Sequence, residues 1–511
     1  MTWSASSGSY IWTVIALSVL YLLTGALHRL YFHPLARFPG PKLAALTSWY
    51  EFYYDCFQRG KFTWEIKSLH KRYGPIVRIT PHELHINDPS FSDEIFSFRA
   101  KLDRYEGATQ HFGMEDATVF TVPYDKHRLR RGALAPFFAR SVVSTPNYAS
   151  IIRNKVEKLC FRLEQARTRA MPVNIGLAFK CLATDVISEY ALGASYNLLD
   201  TPDFSAAWFE TQRSTGEFVL LGKHFPWLIP SLRRLPTWLI TLLSLEAGKS
   251  LTRGKAIGEQ VTTIFRQRTG NTVAEGRPTL FHHLLDSNLP PQEKTIGHLT
   301  REAIVVIGAG SDTTGIALAV TTFHVLDNPN ILARLQKELD EAIPDPQVQS
   351  SWAELEKLQY LTAVIKEGFR LAYGTSDRLP RVSKTSVQFG DWVIPPNIPI
   401  SMSPMLVHEN ESLFPNSQQF RPGRWLELNS RHLDKYLMSF GKGPRACLGV
   451  NLAQAELYVT LATVFRRFDL ELFDTTRRDV DAEHDFMVPC PRLDSKGVRV
   501  LVNYRGLEDS P

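Results

Sequence analysis

The stretch from Phe440 to Gly449 reads FGKGPRACLG. It brings one cysteine, Cys447, to the start of an amphipathic helix, read from Leu457, Leu461, Val464 and Phe465 at i, i+4, i+7 and i+8. A cysteine at a helix start sits where the backbone dipole favours the thiolate. Gly441 and Gly443 let the backbone run close to something flat and large. Arg445 offers a fixed fork of donors to a carboxylate. A thiolate, a close-approach loop and a carboxylate clamp together suit a haem whose iron takes the sulfur as axial ligand. The competing reading is a buried free cysteine in a glycine-rich turn.

A second group lies in the apolar run Thr300 to Leu326, which spans roughly 40 Å as a buried helix. Inside it stands Ala309-Gly310-Ser311-Asp312-Thr313-Thr314. An acid beside an alcohol in a buried helix is costly unless it is used. Gly310 is expected to leave room for a ligand against the helix. A back-bonded threonine is the alternative. Further along, Glu367 and Arg370 stand at i and i+3 and can pair. His127 and Arg131, at i and i+4 of a shorter helix, share a face.

The elements that must position these residues follow from the rest of the chain. A length of 511 residues suits about three domains, or one large domain built around a cofactor. Residues 62 to 72 read as a helix and 76 to 86 as a strand pair broken at Thr80-Pro81. Residues 105 to 122 read as a long loop, and 150 to 285 as mostly helical. Residues 218 to 245 are apolar and aromatic, as a pocket roof or a core helix pair would be. The expected class is mainly α with smaller β-sheets, α+β.

Tyr10 to Leu27 is eighteen residues without a charge, enough for a membrane-spanning helix. No Lys or Arg precedes it, and Arg29, Arg37 and Lys42 follow, so the amino terminus is expected in the lumen. A cleaved signal peptide or a buried helix would be the alternatives. The division expected is a lumenal tail 1–9, an anchor 10–27, a proline-rich linker 28–45 and a catalytic domain 46–511. Net charge is +6, and the one dense basic cluster, residues 126 to 131, carries no interleaved aromatics. That argues against nucleic acid and for an acidic protein partner. Five cysteines at 56, 160, 181, 447 and 490 form neither a disulfide framework nor a zinc site.

Taken together, Phe-x-x-Gly-x-Arg-x-Cys-x-Gly at 440–449, the acid–alcohol motif at 309–314, Glu-x-x-Arg at 367–370 and Phe420-Arg421-Pro422-Gly423-Arg424-Trp425 stand in the order found in the cytochrome P450 family. The resemblance covers about residues 38 to 500, and its tone is similar to fungal secondary-metabolism members such as the trichodiene-oxygenase group. It implies the cytochrome P450 fold with an N-terminal transmembrane helix. It also implies haem b (iron protoporphyrin IX) ligated by Cys447, with Phe440 beside it and with His127, Arg131, Arg381 and Arg445 at the propionates. Asp312 and Thr313 would handle dioxygen and protons, and Glu367, Arg370 and Arg424 would form a buried network behind the haem. Two departures stand out: His127 where the family usually has Trp, and Gly423 where it usually has Glu.

The resemblance further implies dioxygen as co-substrate, and electrons from NADPH through a cytochrome reductase with cytochrome b5 as a further donor. The reductase would dock on Lys126, Arg128, Arg130 and Lys442. The enzyme would sit in the endoplasmic reticulum membrane as a single-pass protein with a cytosolic catalytic domain. The reaction would be hydroxylation or epoxidation of a hydrophobic small molecule, a terpenoid or polyketide intermediate. Its pocket would be lined by 105–122, 218–245, 373–379 and 486–488, with Ser376 and Asp377 facing inward. An isomerase or dehydratase that uses no dioxygen, or a haem-binding sensor, would be the rivals. The intact acid–alcohol pair speaks against both.

Overall fold

A computed structural model describes residues 4–232, 234–269 and 277–505. The first three residues of the expected lumenal tail lie outside the described residues. Helix α1, Ser4–Leu27, runs on through a wider turn, His28–Phe32. The apolar stretch Tyr10–Phe32 is long enough to cross a membrane, and none of it is buried in the protein. It is five residues longer than the expected 10–27, because the helical path continues past the first basic residues. The Arg78 guanidinium donates to Arg29 O at 2.9 Å, tying the helix end to the body.

The segment after it is not a bare spacer. Leu35 and Phe38 are buried, Phe38 stacks on Trp392 at 4.9 Å, and Lys42–Leu46 forms a short helix. Proline rigidity sets the path of this segment, while two apolar side chains dock it.

The body is a bundle of helices with, among the described residues, four small sheets. Strands β1 (Ile76–Arg78), β2 (Leu84–Ile86), β3 (Asp103–Arg104), β4 (Arg381–Val382) and β5 (Pro399–Ser401) form one sheet in the order β1-β2-β5-β4-β3. The β2–β5 pair is parallel and the others antiparallel. The break at Thr80-Pro81 lies in the β1–β2 turn. The expected loop 105–122 contains three single 3-10 turns and no longer element.

Five helices hold the site. They are α2 (Tyr124–Leu134), α3 (Ile175–Leu192), α4 (Ile296–Leu326), α5 (Gln359–Ala372) and α6 (Val450–Arg467). Helix α4 is 31 residues long, four longer at its start than the sequence reading, because Thr295 caps it by accepting from the His298 amide. It lies in the core against α3, α5 and α6, whose inner faces are Ala, Leu, Ile, Val and Phe.

The crossing of α3 and α4 is set by two glycines. A Cβ at Gly310 would meet Ile187 Cγ1 at 2.6 Å, and one at Gly315 would meet Lys180 Cγ at 2.6 Å. Gly310 also lines the central cavity, as the sequence expectation has it, and its bare backbone makes room for the neighbouring helix as well. Ser311 faces the same crossing, with its Oγ 2.5 Å from Thr184 Oγ1.

Candidate functional site

One cavity of about 1450 Å³ runs through the centre of the body. Helix α4 lines one side with Gly308, Ala309, Asp312 and Thr313, and the 440–449 loop lines another with Phe440, Arg445, Ala446 and Cys447. Gly308, Ala309 and Cys447 are all solvent-accessible although they lie deep in the fold, because they face this interior space.

The cysteine loop is shaped by its own backbone. Cys447 N–H donates to Phe440 O at 2.7 Å, and Ala446 N–H to Gly443 O at 3.0 Å. Gly443 has φ +71°, and a Cβ there would stand 1.6 Å from Phe96 O. Its close approach is therefore to the chain at Phe96, whereas Gly441 serves by its φ of +66° alone. Burial raises the Cys447 thiol above its ordinary pKa, against the pull of the Gly449 amide and Arg131. The helix start alone does not make it a thiolate, and a bound cation would.

Around the cavity's edge gather four guanidinium groups. Arg445 donates to Thr121 O and Val122 O at 2.7 and 2.8 Å, leaving its Nε buried and unpartnered. Arg131 donates to Ala446 O at 2.6 Å, next to the cysteine. Arg381 reaches only the carbonyls of Leu379 and Pro380, both at 3.1 Å. Arg104, which the sequence reading missed, has an unpartnered Nε and one distant acid, Asp377, at 3.8 Å. Burial, then Arg104 and Arg445, push Arg381 down to about 9. His127 sits among them with Nδ1 unpartnered, pushed down to about 3 by burial and then by Arg445, Arg131, Arg381 and Arg104.

A cavity edge with this many cations and so few acids fits an anionic ligand with carboxylates at its rim. With a thiol open to the same cavity, the residues present fit a haem. Arg378 is not one of these groups, because Glu83 and Glu51 occupy it at 2.6 and 2.8 Å.

On α4 the Thr313 hydroxyl donates to Ala309 O at 2.8 Å, so its oxygen remains free to accept from a ligand or water. Asp312 is buried, and the Lys180 ammonium stands 3.0 Å from its Oδ1, close enough for an ion pair but off line for a hydrogen bond. Nothing in the sequence spacing pointed to Lys180, which comes from α3.

Behind the cysteine loop Glu367 is wholly buried and accepts from five donors. Arg370 Nε and NH2 lie at 3.0 and 2.9 Å, Arg424 Nε at 3.1 Å, the Arg421 amide at 2.8 Å and Trp425 Nε1 at 2.9 Å. A side chain at Gly423 would meet nothing within 4 Å, so an acid there is not required by packing. Trp425, which nothing in the sequence placed in this network, supplies the fifth donor.

Several expectations are corrected here. Ser376 does not face the cavity; it donates to Asp485 Oδ1 at 2.6 Å. Tyr373 does not line it either, its hydroxyl donating to Glu409 at 2.8 Å. Asp377, Thr375 and residues 486–488 do line it, as do Tyr105, Phe112, Phe120 and Phe218. Of the expected docking cations, Arg130 is buried against Glu293 at 2.7 Å, Lys126 stands 3.4 Å from the same acid, and Lys442 is held by Asp93. Arg128 remains exposed.

Comparison with known proteins accords with this geometry. The Cytochrome P450 family model matches residues 45–496. The chain is 42% identical to "Cytochrome P450 monooxygenase MO6277" of Ascocoryne sarcoides over 95% of this chain and 99% of that protein. It is 41% identical to tryptophan 6-hydroxylase fscE of Fusarium equiseti, with 96% of each chain covered. It is 36% identical to N-acetyltryptophan 6-hydroxylase ivoC of Emericella nidulans, over 96% of this chain and 97% of that one.

Proposed function

The chain belongs to the cytochrome P450 family and is a monooxygenase, and from that footing we propose that it hydroxylates or epoxidises a terpenoid or polyketide intermediate of secondary metabolism. The observation that carries the proposal is the single cavity shared by Cys447, Asp312 and Thr313. In this reading Cys447 Sγ ligates the haem iron, Phe440 packs beside the ring, and Arg131, Arg381, Arg445 and His127 meet its rim. When bound, the cysteine-ligated haem supplies the reductive activation of dioxygen, using NADPH electrons passed through a separate reductase.

The chain's own residues handle protons and exclude water. The Lys180 ammonium, 3.0 Å from Oδ1, fixes the position of the Asp312 carboxylate beside Thr313. Asp312 takes a proton at its carboxylate and passes it towards Thr313 Oγ, whose own hydrogen is committed to Ala309 O. The apolar walls, Phe112, Phe120, Phe209 and Phe486 among them, hold an apolar substrate near the reacting oxygen and keep bulk water out. The helix Tyr10–Phe32 anchors the body to the endoplasmic reticulum membrane in a single pass, which suits a substrate that partitions into lipid.

A second substrate class, an indole-bearing amino acid derivative, is supported by the names of two relatives. The stacked pair Phe112–Phe120, with centroids 4.2 Å apart in the cavity wall, would suit a flat ring. Turnover of candidate substrates under oxygen-18 gas, with reductase and NADPH, tests the function. Label in the product supports it. Product free of label would refute monooxygenation, and label only in an indole product would replace the terpenoid or polyketide reading.

A further inference from the structure

The Glu367 network does not touch the cavity, yet the helix that carries Glu367 and Arg370 also touches the start of the cysteine loop through Phe369. One side chain joins the two. His408 closes the short helix Pro404–His408 and is fully buried. Its Nδ1 is 3.0 Å from Arg370 O, and its Nε2 is 2.7 Å from the Met438 amide nitrogen. A carbonyl can only accept and an amide N–H only donate, so the ring carries its hydrogen on Nδ1 and its lone pair on Nε2. The ring is neutral and held in one tautomer. Arg370 closes the arrangement from the other side by donating NH1 to His408 O at 2.9 Å.

Met438 is the residue from which the cysteine loop hangs. Its carbonyl accepts the Gly441 amide at 2.8 Å, at the loop's first left-handed turn. Ser439 Oγ donates to Phe369 O at 2.7 Å, and the Phe440 ring packs on Phe369 at 4.8 Å. Phe440 O in turn accepts the Cys447 amide at 2.7 Å. The end of α5 thus fixes residues 438–440, and these fix Cys447. The His408 bond is the one link in the set that joins the Arg370 backbone to the loop through a side chain capable of both donating and accepting.

We propose that His408 is a positioning residue for Cys447, transmitting the rigidity of the Glu367–Arg370 network to the thiolate loop through its paired bonds to Arg370 O and Met438 N–H. Without an acceptor at Nε2 the Met438 amide is buried and unpaired, and the loop must shift to satisfy it. The shift moves Cys447 relative to the haem. The proposal rests on Cys447 being the haem ligand.

The test compares full-length wild type with His408→Gln, His408→Asn, His408→Phe and the packing control Phe414→Leu, a buried ring with its centroid 6.4 Å from that of His408. It reads the reduced carbon monoxide complex and the thermal midpoint. Gln can place an amide oxygen where Nε2 stands, Asn is too short to reach Met438, and Phe offers neither bond. Wild type and His408→Gln are expected to give the thiolate-type spectrum. Asn and Phe should convert most of the complex to the form lacking thiolate. Phe414→Leu should lower the midpoint with the thiolate spectrum intact.

Asn or Phe retaining the wild-type spectrum would overturn the proposal, and so would Gln losing it as fully as Phe. Should Phe not accumulate, the contrast between Asn and Gln decides alone. A wild type that never shows the thiolate-type spectrum would instead refute the reading of Cys447 itself.

Discussion

The Lys180 ammonium and the Asp312 carboxylate face each other at 3.0 Å across the α3–α4 crossing. Gly315 makes the pairing possible, since any Cβ there would push the backbone at Lys180 away. Lys180→Met should therefore lower product formed per NADPH by roughly fivefold, the worth of about 1 kcal/mol for an ion pair that is partly open to solvent. Asp312→Asn should cost more, about a hundredfold, because the proposed proton carrier itself is gone. Equal product yields in wild type and both variants would remove this pair from the mechanism.

Glu367→Gln leaves Arg370 and Arg424 buried without their shared carboxylate. Breaking one side of a buried ion network costs about 3–5 kcal/mol. The variant is expected to accumulate poorly and to unfold at much lower denaturant, read by the midpoint of chemical unfolding. A midpoint within error of wild type would show that the network is dispensable.

Buried histidines predict acid sensitivity. Burial, with Arg477 and Arg370 as lesser causes, pushes His324 down to about 3. Burial and then Arg370 push His408 down to about 3. Both sit below the ordinary value near 6.5, so the unfolded chain binds protons first as pH falls. Their contribution is complete above pH 6.5 and is lost progressively from there towards pH 3. Each should add a slope of about 1.4 kcal/mol per pH unit. Unfolding free energy measured between pH 7 and pH 5 should fall, and His408→Gln should flatten the slope. A slope unchanged in that variant would count against a neutral His408.

Gly310→Ala should destabilise through helix packing. Its Cβ would overlap Ile187, and overpacking of this kind costs about 1–3 kcal/mol. The thermal midpoint should drop while the reduced carbon monoxide spectrum keeps its form. Unchanged stability with loss of substrate binding would show that the cavity-facing side of this glycine, and not its packing on Ile187, decides its role.

Much of the site could be read in the sequence because its parts are local. Phe440 to Gly449 encode their own turn, Asp312 and Thr313 share one helix, and Glu367 and Arg370 are one turn apart. What could not be read joins distant segments. Lys180 reaches Asp312 from another helix, Arg104 precedes a loop, and His408 bridges Arg370 and Met438. The packing roles of Gly310 and Gly443 are of the same kind. A glycine announces close approach, and only the packed structure shows that Ile187 and the chain at Phe96 are what approaches. The basic cluster at 126–131 looked like one surface, but helical turn geometry buries Arg130 against Glu293 and leaves Arg128 outside. Ser376 and Tyr373 were placed by position along the chain, and hydrogen-bond partners 109 and 36 residues away turned them elsewhere.

The central claim, that Cys447 supplies the sulfur on a bound haem, is tested most directly by the spectrum of the reduced carbon monoxide complex in wild type and Cys447→Ser. The account predicts the thiolate-type band in wild type and its complete absence in the variant. A Cys447→Ser protein that keeps the thiolate-type band would contradict it.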